Sequence, residues 1–111
     1  MSTIFARIIR KELPATVVFE NERILAIEDL HPVAPIHILI MPKKEIPNFQ
    51  SIASGDWPLI QEIFSVAQGL AKKYHIEEGY RFLTNNGERA GQTIFHLHFH
   101  LIGGRRLSLL A

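Results

Sequence analysis

The sequence predicts an α+β fold, a five-stranded antiparallel sheet with one long and one short helix, and three observations point there. Short runs rich in Val, Ile, Leu and Phe recur between turn-forming residues, as in "ATVVFE", "RILAIED" and "PIHILIMP". A sustained helical period appears in one long segment, from Trp57 to Tyr74. Strands do not alternate with helices, which disfavours a doubly wound dinucleotide fold and favours an antiparallel sheet with its helices on one face. With 111 residues, no repeat and no linker, residues 1–111 are expected to form a single domain.

Taken in order, Ser2 or Thr3 can cap a short helix to about Arg10, with Ile4, Phe5, Ile8 and Ile9 on one side and Pro14 as the stop. Residues 15–19 and 24–28 read as two antiparallel strands meeting at "NE", and "PIHILIMP" as a third, bounded by Pro35 and Pro42. Asp56 is a good N-cap for the long helix, and Pro58 falls in its tolerant first turn. Leu59, Ile60, Ile63, Phe64, Ala67, Leu70 and Tyr74 form its apolar side, and Lys72 and Lys73 suit its C-terminal dipole. "GYRFLTN" is the fourth strand, "NGERAGQ" a loop opened by an Asn-Gly turn, and "TIFHLHFHLI" the fifth strand.

Composition narrows the partners. Twelve Lys plus Arg against eleven Asp plus Glu give a net charge of +1, which provides no steering toward nucleic acid. The absence of cysteine excludes disulfides, thiolate metal sites and a cysteine nucleophile, and fits a reducing compartment, with the cytoplasm as the expected location. No apolar run approaches the length of a membrane span, and the N-terminus lacks the pattern of a secretory signal.

The segment "FHLHFHLIGG" sets His96, His98 and His100 on alternating positions. On a strand these share one face, and Phe95, Leu97, Phe99 and Leu101 share the other, which must be the core side. A lone sheet histidine is commonly structural, but solvation alone would be served by Thr, Lys or Glu, so a row of three points to chemistry. Metal binding is one option, though the three positions spread over roughly 13 Å of extended chain. The outer rings would have to lean inward to reach one ion, and no carboxylate stands nearby in sequence. Nucleophilic catalysis is the other: His98 has a histidine on each side, and the preceding loop offers Gly87, Gly91, Gln92 and Thr93 as a cradle for a phosphate.

"HLHFHLIGGR" resembles the His-x-His-x-His signature of the histidine triad family, in its nucleotide-binding branch. "TIFARIIRKELPA", "EDLHPVAPIHILIMPKK" and "GYRFLTNNGERAGQTIFH" resemble the same branch, so the likeness runs nearly the whole chain. It implies a homodimer in which two five-stranded sheets join as one of ten strands, with a purine mononucleotide site in each subunit. The implied reaction is hydrolysis of purine nucleoside phosphoramidates and acyl adenylates to the nucleoside monophosphate, with no metal and no cofactor.

By position, the resemblance makes His98 the nucleophile, His96 its orienting neighbour, and His100 and Thr93 with the Gly91 backbone the holders of the phosphate oxygens. His37 joins the cluster, Asn85 takes the place of an active-site asparagine, and Asp29 would accept from the ribose hydroxyls. Phe5, Ile8, Ile27, Leu30 and Leu39 would enclose the base, although composition alone reads them as core. Two features depart from the family: Glu45 stands where a further histidine is common, and "GGRRLSLLA" lacks the tryptophan of eukaryotic members. Alternative readings are a dinucleoside polyphosphate hydrolase, against which the "GG" after the triad argues, a non-catalytic nucleotide-binding module, and a zinc protein.

Overall fold

Strands that are apolar at successive positions bury both of their faces, so the sheet that contains them needs a cover on each side. The central strands here are of that kind. The computed structural model describes residues 2–110. They form helix α1 (Ile4–Ile9), strands β1 (Val17–Glu20), β2 (Ile24–Glu28) and β3 (Ile36–Pro42), helix α2 (Trp57–Lys73), and strands β4 (Tyr80–Leu83) and β5 (Phe99–Gly103). The five strands are antiparallel in the order β1-β2-β3-β5-β4.

Ile24 and Ala26 of β2, Ile38 and Ile40 of β3, and Phe99 and Leu101 of β5 pack with Ile60, Ile63, Ala67 and Leu70 of α2. The intervening residues Leu25, Ile27, Leu39 and Met41 pack on the other face with Phe5 and Ile8 of α1. The helices therefore lie on opposite faces of the sheet, which corrects the expectation of a single covered face. The runs "ILAI" and "HILIM" are buried at every position, so neither has a side to leave in water.

Local chemistry sets the helix ends. Thr3 Oγ1 accepts the Ala6 N–H at 3.0 Å, capping α1. The helix stops well before Pro14, because Lys11 enters the left-handed region (φ 65°) and the Lys11 and Glu12 N–H groups return to the carbonyls of Ile8 and Arg7. Asp56 precedes α2 as expected, but its carboxylate does not cap that helix: it accepts from Lys44 Nζ at 2.6 Å and from the Ala53 N–H at 3.2 Å. Phe64, read as core, is 46% exposed, and its ring meets Phe82 and Phe99 edge-on.

The largest difference is at the fifth strand, which begins at Phe99 and not at Thr93. Residues 94–98 find partners outside a ladder: Leu97 N–H donates to Ile46 O, and the His98 carbonyl accepts from Thr84 Oγ1 at 2.7 Å. Phe95, expected on the core side, turns outward and is 46% exposed. Leu97, Phe99 and Leu101 do enter the α2 core. Among the described residues no helix is long and apolar enough to cross a membrane.

Ile63 is fully buried at the centre of the α2 face. Ile63→Ala is expected to lower the unfolding free energy by about 3 kcal/mol, read as a fall in the urea midpoint, and Phe64→Ala to cost less because its ring is half in water.

Candidate active site

A buried imidazole is held by whichever ring nitrogen finds a partner, and that partner decides where its proton sits. Four histidines here are held in this way on the α1 face, around the entry to β5. His96 is the deepest, and its Nε2 lies 2.7 Å from the Pro42 carbonyl. His98 Nδ1 lies 2.7 Å from the His96 carbonyl. A carbonyl only accepts, so Nδ1 of His98 carries the proton and Nε2 carries the free electron pair. The Phe5 ring stands edge-on to His98, its centroid 4.9 Å away, and closes that side.

His37 and His100 form a second unit across β3 and β5. The Val33 N–H donates to His37 Nδ1 at 3.2 Å, so His37 holds its proton on Nε2. That nitrogen lies 2.9 Å from His100 Nδ1 and 3.4 Å from Asp29 Oδ2. His37 therefore donates, His100 Nδ1 accepts, and the remaining His100 proton sits on Nε2. Asp29 is itself fixed, its Oδ1 accepting the His31 N–H at 2.8 Å in an Asx turn.

Burial lowers the pKa of all four rings below the ordinary 6.5. His100 is pushed down to about 4, first by burial and then by the neighbouring His98 and His37, with Asp29 opposing. His98 and His96 are lowered chiefly by burial, with the carbonyls they bond to opposing. His37 is lowered by burial against the pull of Asp29. Near neutrality the cluster is uncharged, and His98 presents a neutral nucleophilic nitrogen.

His98 and His100 face a cavity of about 370 Å³. Phe5, Ile8, Ile27, Leu39 and Ile94 make an apolar wall, with Leu30 at the rim although 86% exposed, and Asp29, Asn85, Gly91, Thr93, His98 and His100 make a polar side. His37 and His96 stand behind the lining. Gln92 does not reach the cavity either. It is 3% exposed, its Oε1 accepts the Gly87 N–H, and its Nε2 donates to the carbonyls of Pro47 and Ile94. That amide holds the loop together, its oxygen and nitrogen both bonded within the chain, so the structure places Gln92 outside the cavity lining where the sequence suggested a phosphate cradle. The Gly91 N–H is likewise spent on the Glu88 carbonyl, so Gly91 (φ 98°) offers a turn and close approach but no free amide. Donor side chains at the polar end are Thr93, Asn85 and His100.

The cavity also draws on Ile4, Pro14, Ala15, Glu28 and His31, which the sequence reading assigned to no site. Ile4 was legible from its helical spacing to Phe5 and Ile8; the others carry no signal except proximity to Asp29 or to α1. Asp29, His37 and His100 could bring three donor atoms within 4.8 Å of one another, the arrangement of a possible metal site. The hydrogen bonds oppose that use. With Val33 donating to His37 Nδ1, the nitrogen facing the cluster must keep its proton, and a metal there would require that bond to break.

Fold and site together define a class: an α+β domain that aims neutral histidines from one strand entry into a cleft with an apolar wall. The sequence pattern of the HIT domain family matches residues 10–107, and the chain belongs to that family. It is 47% identical to a HIT-like protein of Chlamydia pneumoniae over 109 residues, covering 98% of this chain and 99% of the relative. A HIT family hydrolase from Clostridium thermocellum superposes with a TM-score of 0.93 at 42% identity, covering 98% of this chain and 96% of that one. A histidine triad nucleotide-binding protein from Candida albicans superposes at 0.84 with 30% identity, covering 99% and 84%.

The lowered pKa values fix a pH dependence. In the unfolded chain these histidines take up protons near 6.5, while His100 in the fold resists until about 4. Between those values the unfolded state binds more protons, so the stabilisation is complete above pH 6.5 and is lost as pH falls toward 4. Urea titrations at pH 7.5 and pH 5 are expected to give a lower midpoint at pH 5, and His100→Asn to reduce the difference.

Proposed function

We propose that this chain is a metal-independent purine nucleoside phosphoramidase and acyl-nucleotide hydrolase that releases AMP through a nucleotidyl-His98 intermediate. The observation that carries the reading is the bond from His98 Nδ1 to the His96 carbonyl, which leaves Nε2 unprotonated beside the cavity. Membership of the HIT domain family and likeness to a HIT family hydrolase and a histidine triad nucleotide-binding protein support it.

In this scheme His98 Nε2 attacks the α-phosphorus, the nitrogen–phosphorus bond forms, and the phosphorus–amine bond breaks as the amine leaves with a proton taken from solvent. With an acyl adenylate the bond broken is phosphorus–oxygen and the leaving group is the carboxylate. Water then adds to phosphorus and gives up a proton to solvent, the bond to His98 breaks, and AMP departs with the His98 ring neutral again. His100, donating from Nε2, and Thr93 stabilise the charge on the phosphoryl oxygens as it builds. Asp29 accepts from the ribose hydroxyls, and Phe5, Ile8, Ile27, Leu30 and Leu39 enclose the base. No metal or other cofactor takes part.

The active form in this reading is a homodimer. Strand β4 lies at an edge of the sheet, and beside it Phe64 of α2 and Tyr80 of β4 are exposed apolar surface suited to a second copy. Light scattering should give twice the 12.7 kDa of the chain, and Phe64→Glu should return it to a single copy.

AMP release from adenosine 5'-phosphoramidate, measured with a chelator present, is the central test. Wild type is expected to turn over, and His98→Ala to lose at least about 10³-fold in kcat while still binding AMP. Equal turnover by the two proteins would remove His98 from its role. Loss of wild-type activity on chelation would favour a metal enzyme.

A further inference from the structure

Behind the His37–His100 pair the chain of hydrogen bonds runs on to a surface arginine. Val33 is held at both backbone polar groups: its N–H donates to His37 Nδ1 at 3.2 Å, and its carbonyl accepts from Arg105 Nη2 at 2.7 Å. The other arm of the guanidinium, Nη1, donates to the Arg106 carbonyl at 2.8 Å, so the planar group is fixed at two points. Gly104 makes the approach possible. It sits at φ 96°, and a Cβ there would lie 3.0 Å from the Cβ of Pro35, so the segment after β5 rests directly on the loop between β2 and β3.

The direction of the His37–His100 bond depends on this loop. Their nitrogens lie 2.9 Å apart, and one of them must be the donor. With Val33 donating to Nδ1 of His37, the donor is His37 Nε2, and His100 is left with a proton on the nitrogen that remains. If Val33 withdraws, His37 is free to take its proton on Nδ1, and the pair can reverse. His100 then keeps its proton on Nδ1, and its Nε2 offers a lone pair where a phosphoryl oxygen needs a donor. The bond from Val33 is the longest in the series at 3.2 Å, and therefore the one most dependent on being held.

We propose that Arg105 is a positioning residue: by clamping the Val33 carbonyl it locks the His37–His100 pair in the tautomers that give the site a hydrogen-bond donor at His100. Its effect on turnover rests on the phosphoryl-transfer reading of the site; its effect on the tautomers does not. Arg105 touches neither substrate nor the reacting atoms. The charged donor strengthens a single bond to a carbonyl, and the consequence appears two hydrogen bonds further in.

Two measurements on wild type, Arg105→Ala and Arg105→Lys test this. Long-range nitrogen–proton NMR on ligand-free protein reads the tautomer of each ring, and wild type should show His37 and His100 both protonated at Nε2. Arg105→Ala should show a mixture or a reversal, and Arg105→Lys, which retains one donor, should return toward wild type. With adenosine 5'-phosphoramidate, Arg105→Ala should lower kcat by about tenfold to a hundredfold with KM changed by less than about threefold, and Arg105→Lys should recover most of it. Unchanged tautomers in Arg105→Ala would overturn the proposal, and a rise in KM with kcat unchanged would overturn its effect on turnover. Absence of turnover in wild type would instead remove the proposed reaction, and the NMR comparison would still decide the role of Arg105. Should Arg105→Ala lose its cooperative melting transition, Arg105→Gln takes its place in both measurements.

Discussion

The site depends on the chain staying out of the sheet until β5 begins at Phe99. A regular strand would commit the His96 carbonyl to a ladder partner or direct it away from its own neighbours. Instead, successive residues are tied to different parts of the molecule: the His96 ring to Pro42, the Leu97 N–H to Ile46, and the His98 carbonyl to Thr84. These anchors leave the His96 carbonyl for the ring two residues on, at 2.7 Å. The tautomer of His98, and with it the availability of a nucleophilic nitrogen, thus follows from a backbone departure and not from any neighbouring acid or base.

Burial then sets the electrostatics. Each of the four histidines is neutral at ordinary pH because the interior disfavours the charged ring, and close neighbours add to this at His100. Neutrality suits the attack on phosphorus proposed for His98. It also means that, in the proposed reaction, the donors for a phosphoryl group are hydrogen bonds, since no Lys or Arg lines the cavity among the described residues. Stabilisation of developing charge must come from orientation, and so the direction of each proton matters more than net charge.

What the sequence revealed about this arrangement divides by physical origin. The alternation of His96, His98 and His100 against Leu97, Phe99 and Leu101 is a period-two pattern, legible because side-chain direction follows it even where the ladder has not begun. The start of β5 was not legible, since it is decided by backbone partners at Ile46 and Thr84 that no local pattern announces. The two-sided cover had a signal, the unbroken apolar runs of β2 and β3, which the one-face expectation passed over. Gln92 shows the opposite case: a polar residue in a loop rich in glycine suggested a ligand contact, while its amide is bonded to Gly87, Pro47 and Ile94. His37 was placed only by resemblance, because 63 positions separate it from His100 and spacing says nothing at that range.

The loop between β2 and β3 carries two duties that chemistry might have kept apart. Asp29 begins it, closed onto His37 by the bond from its own N–H to the His37 carbonyl at 3.0 Å, and Val33 within it sets the proton of the His37 ring. Pro32 and Pro35 restrict the backbone between and beyond these points, so the segment has few alternative shapes to adopt. Asp29, the ribose acceptor of the proposed reaction, and Val33, which orients the His37–His100 pair, are therefore parts of one stiff unit. Displacing Asp29 by moving the loop would also move Val33, and recognition and proton placement would change together. That coupling gives the loop a reason to be anchored from outside, and the segment following β5, turned by Gly104, is the element that reaches it.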